Sequence, residues 1–457
     1  MAFDIRNTGF ELPDGWKLLR LGDIAKINSR TLTKKSNLPE IRYIDISSTS
    51  TGKFEEPTWM KIEDAPSRAK RILADNDIII STVRPNLKQF SFIENASANL
   101  IASTGFCVIS ADNEKLAWYL YALMTSDMFT AHLVAVADGA AYPSFNPIEI
   151  EDAIIALPPE KYLDAIVDIT RAIHKKILLN TQTNQTLEQI AQAIYKSWFV
   201  DYEPTRAKAA VLAAGGNKEE AETAAMTAIS GKTADALAAL KQHDPARYQQ
   251  LADLAAAFPA ALVPADDFGE IPAGWEISTI GESYSVVMGQ SPNGETYNEE
   301  GQGTLFYQGR AEFGERFPRP RLYTTAPKRM AQKGDVMMSV RAPVGDLNVA
   351  LEDCCIGRGL AALHHKSGSF SFGLYQIQSL KPVLDLFNGE GTVFGSINQK
   401  DLKAINVLQP TNTIISLFND RCLSIDEQIQ NNTRQNILLS ETRDIMLPKL
   451  LNGDIEA

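Results

Sequence analysis

Catalysis needs particular residue types at fixed spacings, and this chain of 457 residues offers few such sets. There is no GxxxxGK[ST] loop to cradle a nucleotide phosphate, and no HExxH to hold a catalytic metal. Gly389, Gly391 and Gly395 approach a dinucleotide fingerprint, but the spacing is off by one and no strand-to-helix context surrounds them, so they read as a loop. The adjacent His364 and His365 lack a third ligand at metal spacing and read as strand-end or loop residues. The Asn-Pro-Pro-aromatic element with which amino-methyltransferases grip the target amine is absent. Asp112, Glu114 and Lys115 can be forced into a nuclease-like pattern, but they read better as a helix N-terminus with acidic residues in its first turn. Five histidines leave little room for general-base chemistry.

Binding chemistry is better represented. Arg84, Asn86, Lys88 and Gln89 follow a strand-like run over 78–83. Downstream, Arg310, Arg316, Arg319, Arg321, Lys328 and Arg329 interleave with Phe313, Phe317 and Tyr323. Arg and Lys neutralise phosphates, and Arg, Asn and Gln read base edges through paired hydrogen bonds. Any one of these residues taken alone fits a solvated surface charge; their clustering beside strand-end loops is what points to DNA. The net charge of −12 argues against nucleic acid, although an acidic chain can carry a basic groove or bind DNA beside a more basic partner.

The elements that position these residues come in two copies. Leu12-Pro13-Asp14-Gly15-Trp16, followed by Leu21-Gly22-Asp23, returns as Ile271-Pro272-Ala273-Gly274-Trp275, followed by Ile280-Gly281-Glu282. The run from Asp77 to Pro85 returns from Asp335 to Pro343, each a short buried strand delivering Ser and Arg to its end. Ser144-Phe145-Asn146 returns as Ser396-Ile397-Asn398. Strands are expected over 41–47, 78–83, 105–109 and 153–157 in the first copy and over 304–308, 336–340, 359–363 and 405–408 in the second. Each copy also has a helix candidate, over 114–126 and 370–381. The chain therefore reads as a tandem duplication of a mixed α/β domain followed by a long helix. Arg84 and Arg341 follow the matched strands and form the best matched pair of candidate DNA contacts. Asn86, Lys88, Tyr142, Ser144, Asn146, Arg310, Arg358, Ser396 and Asn398 complete the candidate set.

From Ala165 to about Asp201 the apolar residues Ile166, Ile169, Ile173, Ile177, Leu187, Ile190 and Ile194 recur in steps of three and four, with Asn180 and Asn184 on the same rhythm. No Gly or Pro interrupts the run, which predicts a helix of roughly 55 Å. Ile425, Ile429, Asn432, Asn436 and Leu439 repeat the steps of Ile173, Ile177, Asn180, Asn184 and Leu187. Two such helices can share a seam, in which buried Asn residues fix register at a cost in stability. The alternative is that each helix packs on its own domain with its Asn residues in water.

The segments expected are a first domain at 1–160, a long helix at 161–203, an Ala-rich insertion at 204–267, a second domain at 268–411 and a C-terminal helix and tail at 412–457. The insertion reads as helical over 233–240 and 246–257, broken by Pro245, and serves either as a connection or as a docking surface. Composition is that of an ordinary globular protein. No run nears 18 uninterrupted apolar residues and the start lacks a signal-peptide pattern, so no membrane span and a cytoplasmic location are expected. Cys107, Cys354, Cys355 and Cys422 fit neither a disulfide framework nor a zinc site, and no metal is expected.

These features resemble the specificity subunits of type I restriction-modification systems. The likeness is carried by the two Pro-x-Gly-Trp starts, by Tyr195-Lys196-Ser197-Trp198-Phe199-Val200-Asp201-Tyr202-Glu203-Pro204, by Leu447-Pro448-Lys449-Leu450-Leu451-Asn452-Gly453, and by the duplicated layout. The resemblance implies two target recognition domains, each reading half of a split site on double-stranded DNA. It implies a pseudo-two-fold arrangement in which a pair of long antiparallel helices separates the domains and sets the spacer. It implies a non-catalytic chain that binds no cofactor. Two methyltransferase subunits using S-adenosylmethionine, and a restriction subunit acting as a translocase with ATP and Mg, would supply the chemistry. The rival readings are the recognition part of a fused methyltransferase–nuclease and a coiled-coil protein adaptor.

Overall fold

In a computed structural model of the chain, the described residues are 2–8, 11–33, 36, 38–139, 142–389 and 395–451. Gly391 of the glycine-rich loop and Asn452 and Gly453 of the C-terminal motif lie outside them. The chain forms two compact units: Met1–Gln182 with Arg434–Ala457, and Thr183–Thr433.

Each unit is built on the same plan. The first has an antiparallel sheet in the order Ala25–Ile27, Phe106–Ala111, Asp77–Ser81, Phe90–Phe92. The second has Tyr284–Met288, Leu360–His365, Val336–Ser339, Leu347–Val349 in the matching order. Asp77–Ser81 and Val336–Ser339 are buried at every position, which is why they read as continuous apolar runs and not as alternating ones. A second sheet runs Thr58–Lys61, Glu40–Ile44, Leu100–Ser103, Ala69–Ile72 in the first unit, with its central pair parallel. The second unit repeats it as Leu322–Thr324, Thr304–Tyr307, Cys354–Ile356, Met330–Ala331, again with a parallel central pair, and adds Tyr297–Asn298 at the edge. Lys17–Arg20 pairs with Ile154–Leu157, and Glu276–Thr279 with Asn406–Gln409, so each domain begins and ends on one antiparallel ribbon.

The duplicated turns have a common cause. Gly15 (φ 83°) and Gly274 (φ 82°) lie in the left-handed region, and the following Trp16 and Trp275 amides donate to the Pro13 and Pro272 carbonyls at 3.2 and 3.1 Å. Asp77 and Asp335 each accept a backbone N–H three residues upstream, from Ala74 and Gln332, both at 2.8 Å. The helix Glu114–Met124 is capped by Asn113 and its counterpart Phe370–Ser379 by Ser369. In the first unit Trp118 stacks on Phe92 with ring centroids 4.0 Å apart, at the centre of the main core.

The long helices are Glu160–Phe199 and Asn412–Leu451, 40 residues each and so about 60 Å long. Each unit contains a stretch of both, antiparallel. In the first unit Asn180 Nδ2 donates to Asn436 Oδ1 and Gln435 Oε1, each at 2.8 Å. In the second, Asn432 Nδ2 donates to Asn184 Oδ1 at 2.9 Å, and Tyr195 packs edge-on against Phe418. Asn180, Asn184 and Asn432 are buried and Asn436 is half-buried. Ile429 is buried, and Ile173, Ile177, Leu187, Ile425 and Leu439 are half-buried. One seam expectation is corrected: Ile190 is 45% exposed, because Ala191 takes the inward position at that turn.

The insertion holds more helix than its sequence led us to expect. Ala234–His243 and Pro245–Ala257 occupy the anticipated stretches, with Pro245 starting its helix at N1, where a missing N–H costs nothing. Two further helices, Glu203–Ala213 and Lys218–Ser230, precede them. Ala225, Met226, Leu237 and Ala255 give the segment a small core, and the buried Lys208 ammonium donates to the Phe258 carbonyl at 2.8 Å and pairs with Glu222.

Candidate nucleic-acid interface

The duplicated strand ends and the duplicated Ser-x-Asn motifs, distant in sequence, meet in both units. Val83 bridges Ser144, and Arg341 bridges Ser396. The hydrogen bonds around each bridge match: Phe145 N to Thr82 O and Ile397 N to Val340 O, then Arg84 N to Pro143 O and Ala342 N to Gly395 O. Strand and loop are thus stitched into one exposed cluster per unit.

This register corrects the pairing of Arg84 with Arg341. Arg341 occupies the place of Val83, and Ala342 that of Arg84. Counting from Asp77 and Asp335 gives the same answer, since Arg84 is seven residues on (84 − 77) and Arg341 six (341 − 335). Both arginines are exposed, but they leave the strand end one residue apart.

In the first cluster the Arg84 guanidinium lies 4.7 Å from the centroid of the Tyr142 ring, a cation–π pair, and Tyr142 is 70% exposed. Arg84 and Lys88 flank the turn Pro85–Leu87, both in the left-handed region with φ 49° and 50°. Asn86 and Ser144 are exposed between these groups. Lys88 is partly committed, with its ammonium 2.5 Å from Asp127. Gln89 faces inward and donates to the Ile46 and Thr49 carbonyls, so it is a structural residue and not a surface reader. Asn146 and Asn398 are exposed, yet each bonds to backbone at the start of a short helix: Asn146 Oδ1 accepts from Ile148 N at 3.1 Å in a turn just ahead of Ile148–Glu151, and Asn398 caps Gln399–Ala404, its Oδ1 accepting from Asp401 N at 3.0 Å. Their duplication therefore has a structural reason.

In the second unit Ser396 and Arg358 are exposed. Arg310 is exposed and paired with Asp346. Arg321 joins Glu299 and Glu312, while Arg319, Lys328 and Arg329 are exposed. Phe317 is buried, and Phe313 and Tyr323 pack on the core, so the aromatics interleaved with these charges do not offer stacking faces. Arg316 is corrected outright. It is 7% exposed and its guanidinium meets Glu188 at 3.1 Å and Asp426 at 2.6 Å, which removes it from any phosphate-facing set.

One exposed group escaped the sequence reading. Trp59, 60% exposed on the edge strand Thr58–Lys61, lies opposite Arg42, whose guanidinium sits 5.7 Å from its ring. A large aromatic facing Arg across an edge ladder is a signal that cross-strand pairing could have supplied.

The adjacent histidines and the cysteines are bound into structure. His364 Nδ1 lies 2.9 Å from Asp335, and His365 Nδ1 2.7 Å from Ser367 Oγ. All four cysteines are buried thiols, and burial pushes Cys107, Cys354 and Cys422 up to about 12. Among the described residues no group of three His, Cys, Asp or Glu side chains could hold a metal ion, and no helix is long and apolar enough to cross a membrane.

Comparison with known proteins identifies the family. The model of the type I restriction modification DNA specificity domain matches residues 13–189. The type I restriction enzyme HindI specificity subunit of Haemophilus influenzae is 32% identical over 458 aligned positions, covering 96% of this chain and 99% of its own length. Among solved structures, the HsdS subunit of Thermoanaerobacter tengcongensis is 27% identical, covering 99% of this chain and 100% of its own, with a TM-score of 0.36. A chain from work on complex assembly and conformational transition of the type I R-M system is 28% identical, covering 98% and 100%, also with a TM-score of 0.36. With near-complete coverage of a relative above 30% identity, the chain belongs to the family of type I restriction enzyme specificity subunits.

Proposed function

We propose that the chain reads a two-part DNA site, with 1–160 and 268–411 as its target recognition domains. The observation that carries this is the pair of exposed loop clusters stitched at Val83–Ser144 and Arg341–Ser396, in a chain of the specificity-subunit family. In the first domain Arg84, Asn86, Lys88, Tyr142, Ser144 and Asn146 line the reading loops; in the second, Arg310, Arg341, Arg358, Ser396 and Asn398 do so. Guanidinium, amide and hydroxyl groups on rigid strand ends suit base-edge and phosphate contacts. The long helices set the spacer between half-sites and dock two methyltransferase subunits. Leu179, Leu438 and Ile445, all more than half exposed, offer those subunits apolar surface. The chain does no chemistry itself. Methyl transfer from S-adenosylmethionine belongs to the docked subunits, and ATP- and Mg-dependent translocation and cleavage to a restriction subunit. Acting on cellular DNA, the proposed assembly works in the cytoplasm.

The test is methylome sequencing of cells expressing this chain with its methyltransferase partner. A split recognition sequence is expected, and removing a few residues from 173–194 should change the spacer while leaving both half-sites intact. Changed half-site bases with an unchanged spacer would refute the ruler. A partner-containing complex with no sequence preference would refute the DNA reading and favour a protein adaptor.

A further inference from the structure

The loop 310–321 of the second unit has the charge of a phosphate-binding surface, yet its central arginine is withdrawn from the surface. Arg316 Nη2 donates to Asp426 Oδ1 on Asn412–Leu451 at 2.6 Å, and Nη1 to Glu188 Oε2 on Glu160–Phe199 at 3.1 Å. Its guanidinium carbon also lies over the rings of Phe370 and Tyr375, 5.5 and 5.9 Å from their centroids. The far oxygen of Asp426 accepts from Ser371 Oγ, so the carboxylate is held from both sides.

The loop has little regular structure of its own beyond the turn Arg310–Glu312. It is held instead by specific bonds. Gly314 N donates to Asn348 Oδ1 and Asn348 Nδ2 returns to Gly314 O, both at 3.0 Å. Val349 N donates to Arg316 O at 2.8 Å, and Gln185 Nε2 to Glu315 Oε1 at 3.0 Å. One edge of the loop is therefore tied to the strand Leu347–Val349 and its centre to both long helices. The exposed Arg310 and Arg319 lie on either side of that anchor.

A buried ion cluster is a weak device for stability, since well-packed apolar residues often do as well or better. What it supplies is direction. A planar fork with fixed donors can hold two carboxylates on two different helices at one angle, which an aliphatic side chain or a lysine cannot. We infer that Arg316 is a positioning residue that fixes the 310–321 loop against both long helices, so that Arg310 and Arg319 meet the second half-site in a single orientation. The inference rests on the DNA-reading function proposed above.

The test uses the full chain assembled with its methyltransferase subunits. Methylation rates are compared on duplexes carrying the cognate site or single-base changes in either half. Arg316→Met should lower discrimination at the second half-site about tenfold, close to the whole contribution of one base pair, and leave the first half-site unchanged. Arg316→Lys, able to reach one carboxylate, should restore part of it. Unchanged ratios, or a uniform fall at all sites with the ratios intact, would reduce Arg316 to a stabilising residue and overturn the inference. If Arg316→Met does not assemble, Glu188→Gln, which spares the Asp426 pair, is measured in the same way and should lower the second-half ratio about threefold. If the wild-type complex shows no sequence preference, the DNA reading has failed. The anchor is then judged by hydrogen exchange over 310–321, which must rise in Arg316→Met for the tie to stand.

Discussion

His174 and Asp426 occupy the same position in the duplicated long helices, 252 residues apart (426 − 174), as are Asn180 and Asn432 (432 − 180). Both face the domain helix of their own unit, but with different chemistry. His174 Nδ1 lies 3.2 Å from the Tyr121 hydroxyl, and its ring packs edge-on against Trp118 and Tyr121. Burial, with Arg443 adding to it, pushes the imidazole down to about 4, so the ring is neutral. Asp426 binds Arg316 and Ser371, and burial pushes its carboxyl up against the pull of the guanidinium. One joint is a neutral aromatic box, the other an ion cluster. The difference teaches that the apolar pattern and the turns set the repeated backbone, while the polar group at the joint is free to diverge once its neighbours satisfy it.

Breaking each joint should sharpen the contrast. Asp426→Ala leaves a buried arginine with one carboxylate, and should cost about 3–5 kcal/mol. His174→Ala, which strands no charge, should cost about 2 kcal/mol. Denaturant unfolding read by hydrogen exchange in Phe370–Ser379 and Glu114–Met124 separates the two, and equal losses would erase the distinction. Acid acts next. The unfolded chain protonates His174 near 6.5 but the folded chain not until about 4. Its contribution is therefore complete above about pH 6.5 and drains as pH falls towards 4, by at most about 3 kcal/mol. His365, pushed down to about 4 by burial, does the same in the second unit. Melting curves of His174→Gln across that window should flatten by the His174 share alone; an unchanged slope would show that the ring is not the titrating group. Smaller still, Asn184→Ala orphans the Asn432 amide in the seam, and should cost about 1–2 kcal/mol. A value near zero would mean that water replaces the bond. Last, Arg84→Ala should change stability by less than about 0.5 kcal/mol. It should weaken or relax recognition in the first half-site only, with Arg341→Ala doing so only in the second. Equal loss in both halves would indicate an assembly defect.

Much of the fold was legible because the duplication checks itself. Strands expected over 78–83 and 336–340 run Asp77–Ser81 and Val336–Ser339, and the long helices are found a few residues from their expected ends. The Ala-rich helices Glu203–Ala213 and Lys218–Ser230 were missed because they carry few large apolar residues to mark a period. The capping box of Asn217 with Glu220 was the available signal. The site was less legible. Nothing local tells a buried arginine from an exposed one, so Arg316 looked like Arg319 until Glu188 and Asp426, 128 and 110 residues away, were brought beside it. The inward turn of Gln89 likewise depends on partners that the fold supplies, whereas the bonds of Asn146 and Asn398 are local, two and three residues ahead, and were open to a helix-start reading of the sequence.

The one-residue offset between Arg84 and Arg341 bears on protein engineering. A loop transplanted between the domains by matching its arginines would be threaded one step out of frame. The guest arginine would land on a left-handed hinge in one direction and on a bridge-paired residue in the other. Chimeras with exchanged specificity should instead be spliced on the shared Ser81 and Ser339, with Ser144 and Ser396 as the second seam, which keeps the stitching bonds in frame and moves each arginine with its own backbone.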